Sequence, residues 1–334
     1  MSEITFRALV VSEAGEHQYD REIATKAIDD LPPGDVLVQV HYSSLNYKDA
    51  LSASGNKGVT RRYPHTPGID AAGVVAESTG GQFKPGDQVI VTSYDLGMNT
   101  AGGFGQYIRV PADWVVPLPD GLTLRESMCY GTAGFTAALS IHQLEAHGIT
   151  PDAGEVLVSG ATGGVGGIAV SILAKMGYPV AAVNGRRVDE TDYLKALGAQ
   201  TVISVEEATD QSGRPLLKTR WAASVDTVGG DILATTIKSS RPYAVVAACG
   251  NVASPDLPIN VYPFILRGAT LVGIDSQNCP MPQRQSTWQK LASDWKIPAM
   301  EQVVTEIGLN DLNQRIEMML DGKHRGRVVV KMTD

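Results

Sequence analysis

Cysteine is scarce in this chain: Cys129, Cys249 and Cys279 are the only three in 334 residues. They are too few and too scattered for a disulfide framework, and no CxxC pair offers zinc a hold. A reducing cytoplasm is the expected setting. No run approaches the roughly 20 apolar residues of a membrane span. The start, Met1 to Phe6, lacks the basic residues and apolar core of a secretory signal. Basic charge is also short, 28 Lys and Arg against 36 Asp and Glu, for a net charge of -8. That balance argues against nonspecific binding to nucleic acid or an anionic membrane, though it leaves room for a local basic site. The six histidines (His17, His41, His65, His142, His147 and His324) show no ligand spacing. His142 and His147 do not share a helix face.

Glycine, by contrast, is plentiful, and it concentrates in one stretch: Gly160, Gly163, Gly164, Gly166 and Gly167 fall within eight residues. The apolar run Val156 to Val158 reads as a buried parallel strand. After the glycines, Val165, Ile168, Ala169, Ile172, Leu173 and Met176 follow a helical period. Gly160, Gly163 and Gly166 stand three apart. In a strand–turn–helix they allow a tight turn, close approach to a pyrophosphate and close helix–strand packing. Thr162, Gly164, Val165, Gly167 and Ile168 complete the candidate cradle, at a helix N-terminus that favours phosphate. The next strand ends Asn184-Gly185-Arg186. A site for NAD places a carboxylate about 20 residues past the glycines, on the ribose 2′-OH. None stands there, and a guanidinium at Arg186 suits a 2′-phosphate, so NADP(H) is the expected cofactor.

Residues 4 to 120 show short strand-like runs with Pro/Gly turns, as in a small barrel or sandwich. From about residue 126, helical stretches alternate with strand candidates at 155–159, 179–183, 201–204, 222–226, 243–248 and 269–274. Six such strands predict a doubly wound parallel sheet, and the fold class is α/β. The strand Gly326 to Lys331 closes the chain, and the last segment is expected to rejoin the N-terminal region. Ligands in such sheets sit beyond the carboxyl ends of strands, which singles out Asn251 and Ile274 for the nicotinamide pocket.

A β-rich first part, a dinucleotide fold and a returning tail resemble the medium-chain dehydrogenase/reductase superfamily. The resemblance implies a GroES-like catalytic domain over 1–125, a Rossmann NADP-binding domain over 126–275 and a C-terminal segment, 276–334, that returns to the first. Zinc alcohol dehydrogenases of that superfamily carry a cysteine at the place of Asn46 and Gly-His-Glu at the place of Gly68-Ile69-Asp70. Their third ligand falls near Cys129. One thiol cannot hold a zinc that needs three protein ligands, so no metal is expected. The Gly-Gly-Val-Gly loop is shared with the zinc-free quinone oxidoreductase branch. The stretches Ser43 to Ala50, Pro67 to Asp70, Gly131 to Ala137, Pro263 to Gly268, Leu271 to Ser276 and Gly326 to Val330 are similar to the acrylyl-CoA reductase (NADPH) subgroup. Asn184 departs from the serine expected there, but it keeps a small polar side chain.

The resemblance implies NADPH-dependent reduction of a C=C bond conjugated to a thioester, or to a ketone or quinone as the alternative. It places Asn46, Tyr47 and Asp49 beside the nicotinamide. Tyr47 would donate a hydrogen bond, Asn46 would orient or donate, and Asp49 would hold Lys48 or a ribose hydroxyl. On local grounds alone, Asn46 is a helix N-cap and Asp49 a first-turn acid. Tyr63 is a second acid candidate. Asp226 is read as a helix cap, and Cys129 and Cys249 as small buried hydrophobes. A CoA thioester as substrate requires cations for its phosphates. The candidates are Arg61, Arg62, Arg267, Arg284, Lys323, Arg325 and Arg327, the last of which could instead meet the cofactor. A cofactor-binding protein with little catalysis is a further reading. The apolar edge strand Ala269 to Ile274 could pair across a two-fold axis, and the resemblance likewise implies a homodimer.

Overall fold

The computed structural model describes residues 4–185, 190–298 and 300–333. In chain order the elements are β1 (Thr5–Gly15), β2 (Gln18–Ala27), β3 (Val36–Leu45), α1 (Tyr47–Ser52), β4 (Asp70–Ser78), β5 (Gln88–Thr92), β6 (Tyr107–Val110) and β7 (Val115–Pro117). They continue with α2 (Leu124–Ala146), β8 (Val156–Val158), α3 (Gly164–Lys175), β9 (Val180–Asn184), α4 (Thr191–Ala196), β10 (Thr201–Ser204), β11 (Trp221–Asp226) and α5 (Gly230–Lys238). The last are β12 (Ser240–Ala248), α6 (Tyr262–Arg267), β13 (Thr270–Gly273), α7 (Met281–Ala292), β14 (Val304–Gly308), α8 (Leu312–Leu320) and β15 (Arg327–Lys331). They form two compact units.

The first unit comprises Met1–Thr132, Gln277–Ala292 and Val303–Asp334. Its sheet runs β14-β15-β3-β4-β5-β7, with β6 also on β3, and β1 and β2 form a separate antiparallel ribbon. The central strand is β3. Val36 to Gln39 pair with β6, while Tyr42 to Leu45 pair antiparallel with β15. The closing strand therefore lies beside the segment that leads into α1. Leu9, Val38, Val40, Leu45, Val89, Val91, Phe104, Ile108, Val328 and Val330 fill the core of this unit.

The second unit comprises Ala133–Ser276 and Ser293–Gln302. Its six strands are all parallel, in the order β10-β9-β8-β11-β12-β13. The first strand of the series sits in the middle, and the order reverses between β8 and β11. This is the switch point at which doubly wound sheets bind ligands. All three residues of β8 are buried, as the unbroken apolar run required.

Two boundaries differ from the sequence expectation. The chain passes into the second unit at Thr132, not at 125, and residues 293–302 belong to the second unit. The onset of helical composition marks the start of α2, yet α2 is interrupted at Gly131, with φ 52° and ψ -157°. Its opening turns belong to the first unit. There Arg327 Nε donates to Cys129 O, and Thr132 N donates to Asp70. A Cβ on Gly131 would come within 2.4 Å of both Asp70 Oδ2 and Ser44 Oγ, so the break admits polar groups that no other residue would leave room for.

Candidate active site

In the second unit, β8 ends in the glycine turn and α3 begins at Gly164 with Gly163 as N-cap. Gly160 has φ +59°, and a Cβ there would lie 2.1 Å from Thr227 Oγ1. A Cβ on Gly166 would lie 2.3 Å from Gly160 O, so this glycine lets the helix sit against the turn. Gly167 and Gly163 are less tight: a Cβ would lie 3.3 Å from Ala161 O at the first and 3.3 Å from Gly160 O at the second. Thr162 is buried, Val165 is half-buried, and Ile168 is packed in the core. The first-turn N–H groups of α3 have no intrahelical acceptors. Asn184 ends β9 half-buried, and Gly185 follows it; Arg186 lies outside the described residues. Asn251 is exposed in the loop after β12. Ile274 is half-buried directly after β13, where its N–H donates to Ala248 O.

Sequence reasoning missed the knot that fixes this switch point. Asp226, at the end of β11, accepts hydrogen bonds from Ser159 Oγ at 2.7 Å, Gly229 N at 2.7 Å and Val228 N at 3.2 Å. Thr227 N in turn donates to Ser159 Oγ. Asp226 therefore ties the ends of β8 and β11 together. It does not cap α5, whose N-cap is Gly229. Burial raises its carboxyl pKa above the ordinary value. Burial also pushes the Cys249 thiol up to about 12, with Asp226 adding to the effect, so it is a poor nucleophile.

In the first unit, the site is built where β3 turns into α1. Asn46 stands at the N-cap position, with φ -121° and ψ 160°. Its side chain does not cap the helix. Nδ2 donates to Asp70 Oδ2 at 2.7 Å and to Asp49 Oδ2 at 3.2 Å, and Oδ1 accepts from Arg327 Nη1 at 3.1 Å. The flipped amide would set its NH2 against the Arg327 guanidinium and its oxygen against Asp70 Oδ2, so the orientation is fixed by these two partners. Asp70 is fully buried and also accepts from Ser44 Oγ at 2.5 Å and Thr132 Oγ1 at 2.6 Å. Because the Thr132 hydroxyl proton goes to Asp70, the 2.9 Å contact between Ser93 Oγ and Thr132 Oγ1 is donated by Ser93. Arg327 Nη2 lies 3.8 Å from Asp70 Oδ2, and Ser44 Oγ bridges the two.

Beside this fixed amide, Tyr47 is 51% exposed at the first position of α1. Its hydroxyl has no partner among the described residues. The arrangement offers one hydrogen-bond donor to solvent, next to an amide held rigid by a buried charge network.

Three expectations change. Arg327 is 2% exposed, and its donors go to Cys129 O, Leu45 O, Asn46 Oδ1 and Ser44 Oγ, so it anchors the first unit instead of meeting a cofactor. Asp49 is fully buried and accepts from Asn46 N and Ile69 N; it positions Asn46 and cannot touch a ligand. Lys48 Nζ donates to Gln277 Oε1, not to Asp49, which was one of the two roles the resemblance implied for that acid. Tyr63 donates its hydroxyl to Ser52 O and packs against Tyr19, as a loop tyrosine would.

Burial, and secondly the charge of Asp70, push the Asp49 carboxyl up to about 7. The folded chain then holds a proton there that the unfolded chain gives up near its ordinary value of 3.8. Between these two values the folded state binds more protons, so this group's contribution to stability falls as pH rises. Asp49→Asn removes the titration. Its stability relative to the parent is expected to improve between pH 4 and pH 7, by at most about 4 kcal/mol, and to level off above. Urea unfolding across that range checks it; a difference independent of pH contradicts the raised carboxyl.

A zinc does not fit this site. Among the described residues no group of three or more His, Cys, Asp or Glu side chains could hold a metal ion. The cation beside Asp70 is the Arg327 guanidinium.

Comparison with known proteins agrees with this architecture. The family description "Alcohol dehydrogenase GroES-like domain" matches residues 32–120, and "Zinc-binding dehydrogenase" matches residues 164–295. The chain is 44% identical to acrylyl-CoA reductase AcuI of Ruegeria pomeroyi over 97% of this chain and 98% of that protein. It is 47% identical to YhfP of Bacillus subtilis, whose name places it with quinone oxidoreductases, over 93% of this chain and 94% of that protein. The YhfP structure with NAD bound superimposes with a TM-score of 0.95. The yhdH oxidoreductase of Salmonella enterica, in complex with NADP, superimposes with a TM-score of 0.94 at 42% identity, covering 98% of this chain and all of that one. By sequence, domain content and fold, the chain belongs to the medium-chain dehydrogenase/reductase superfamily, in the group that holds AcuI and YhfP.

Proposed function

We propose that the protein is an NADPH-dependent reductase of the C=C bond of a short α,β-unsaturated acyl-CoA, of the acrylyl-CoA to propionyl-CoA type, working without zinc. The observation that carries this reading is the identity to AcuI across almost the whole of both chains. The glycine cradle fits a dinucleotide, since Cβ atoms at Gly160 and Gly166 would close the turn. Gly160, Thr162, Gly163, Gly164, Val165, Gly166, Gly167 and Ile168 hold the pyrophosphate. Asn184, Gly185 and Arg186 meet the adenosine ribose and its 2′-phosphate, and Asn251 and Ile274 flank the nicotinamide. The bound cofactor supplies a hydride to the substrate β-carbon. Tyr47 donates its O–H to the carbonyl oxygen, where negative charge develops, and Asn46, its amide held by Asp70, Asp49 and Arg327, orients the start of the helix that carries Tyr47. Protonation at the α-carbon completes the reduction.

The second reading is a quinone or general enone reductase, favoured by the name of YhfP. YhfP also has NAD bound where yhdH has NADP, so the dinucleotide is part of the test. Steady-state kinetics with acrylyl-CoA, crotonyl-CoA and a quinone, each with NADPH and NADH, separates the readings. The expected result is the highest kcat/KM for acrylyl-CoA with NADPH. A higher value for the quinone transfers the function to the second reading, and no turnover with any of them favours a binding protein.

A homodimer belongs to the same proposal. β13 is the edge of the parallel sheet, and Tyr243, Val261, Ile265 and Leu266 are exposed nearby in sequence and sheet order. An apolar edge of this kind supports pairing with a second copy across a two-fold axis. The cytoplasm remains the expected compartment: all three cysteines are free, and no described helix is long and apolar enough to cross a membrane.

A further inference from the structure

A CoA thioester brings phosphates to a protein whose net charge is -8. Of the seven candidate cations named above for them, the structure removes five. Arg267 spends its guanidinium on Lys238 O, Ser240 O and Leu217 O. Arg284 and Arg327 are buried. Lys323 pairs with Asp321 at 2.7 Å, and Arg325 has a partner of its own. Arg61 and Arg62 remain. Both are exposed, and among the described residues neither guanidinium has an acidic partner or a hydrogen-bond acceptor. Two adjacent cations without a counter-charge repel each other, and a bound anion relieves that repulsion.

Their placement adds to the argument. They lie on the loop 53–69, which leaves the helix that carries Tyr47 and returns at Asp70. The loop is pinned on both sides of the pair. Thr60 is fully buried with its hydroxyl 2.6 Å from Ser52 Oγ, Arg61 N donates to Asn99 Oδ1 at 3.3 Å, and Tyr63 donates to Ser52 O at 2.7 Å. A braced backbone spares the ordering cost of the loop on binding and leaves only that of the two side chains. We propose that Arg61 and Arg62 receive the nucleotide phosphates of the acyl-CoA, so that the charged end of the substrate is held by the loop next to the helix that carries Tyr47. This rests on the acyl-CoA reading above.

The test uses the full chain and the double variant Arg61→Glu/Arg62→Glu. The variant is compared with the parent on acrylyl-CoA and on the acrylyl thioester of N-acetylcysteamine, which lacks the nucleotide. Two lost charge-assisted contacts are expected to lower kcat/KM for acrylyl-CoA by about 10- to 100-fold, through KM. Salt should weaken acrylyl-CoA binding by the parent more than by the variant. The kcat, the KM for NADPH and the truncated thioester should be unchanged. Inhibition by CoA and by dephospho-CoA then assigns the contact to the 3′-phosphate or to the pyrophosphate. Unchanged KM for acrylyl-CoA, or an equal loss on both thioesters, overturns the subsite. If the parent turns over a quinone and no acyl-CoA, the acyl-CoA reading fails on its own. The subsite then stands only if CoA inhibits quinone reduction by the parent and not by the variant.

Discussion

Arg327→Leu is expected to cost about 3–5 kcal/mol of stability, the usual penalty for stripping one partner from a buried pair. The leucine leaves Asp70 fully buried without its cation. It also leaves Leu45 O, Cys129 O and Asn46 Oδ1 without the donors they now have in Arg327. Guanidinium unfolding of the full chain reads the loss. The double variant Arg327→Leu/Asp70→Asn should recover part of it, because no uncompensated charge then remains. A single variant within about 1 kcal/mol of the parent would mean that Ser44, Asn46 and Thr132 satisfy Asp70 without help. Turnover should fall along with stability, since Asn46 Oδ1 loses the contact that sets its orientation.

Tyr47→Phe should act in the opposite way, on turnover and not on stability. The side chain is 51% exposed and its hydroxyl bonds nothing in the described structure, so removing one oxygen leaves packing intact. If that hydroxyl faces the developing enolate, kcat should drop by about 10²–10³, as for other single donors of this kind, at an unchanged melting temperature. A change in KM alone would make Tyr47 a binding residue, and unchanged kinetics would remove it from the mechanism.

The two variants divide along what the sequence could and could not express. The six parallel strands were legible because each is a short run with an apolar centre, and β8, β9 and β11 are buried on both faces. The expected strand at 243–248 is in fact Ser240–Ala248; its first residues include Pro242 and an exposed Tyr243, which no apolar pattern reveals. β2 and β14 were passed over for the same reason. They are largely polar strands, each placed by the neighbour it pairs with and by a few side chains such as Ile307 and Ile23 that reach the core.

The site divides similarly. The glycine turn and its helix follow from local sequence, because a Cβ and a helix start are local matters, whereas Tyr47 was singled out by the family resemblance. The charge network does not. Asp70 and Arg327 lie 257 positions apart, and each opens an apolar strand. A charge embedded in an apolar run is the one sequence signal that such a residue is buried and therefore paired. The pairing itself comes from β15 lying against the end of β3, where Val328 sits opposite Leu45. That register brings Arg327 to Asn46 and reassigns Asp49 from chemistry to support. Periodicity and turn chemistry, which are local, determined the two kinds of sheet and the nucleotide turn. Partnership between buried charges is a long-range property, and only the tertiary structure decided it.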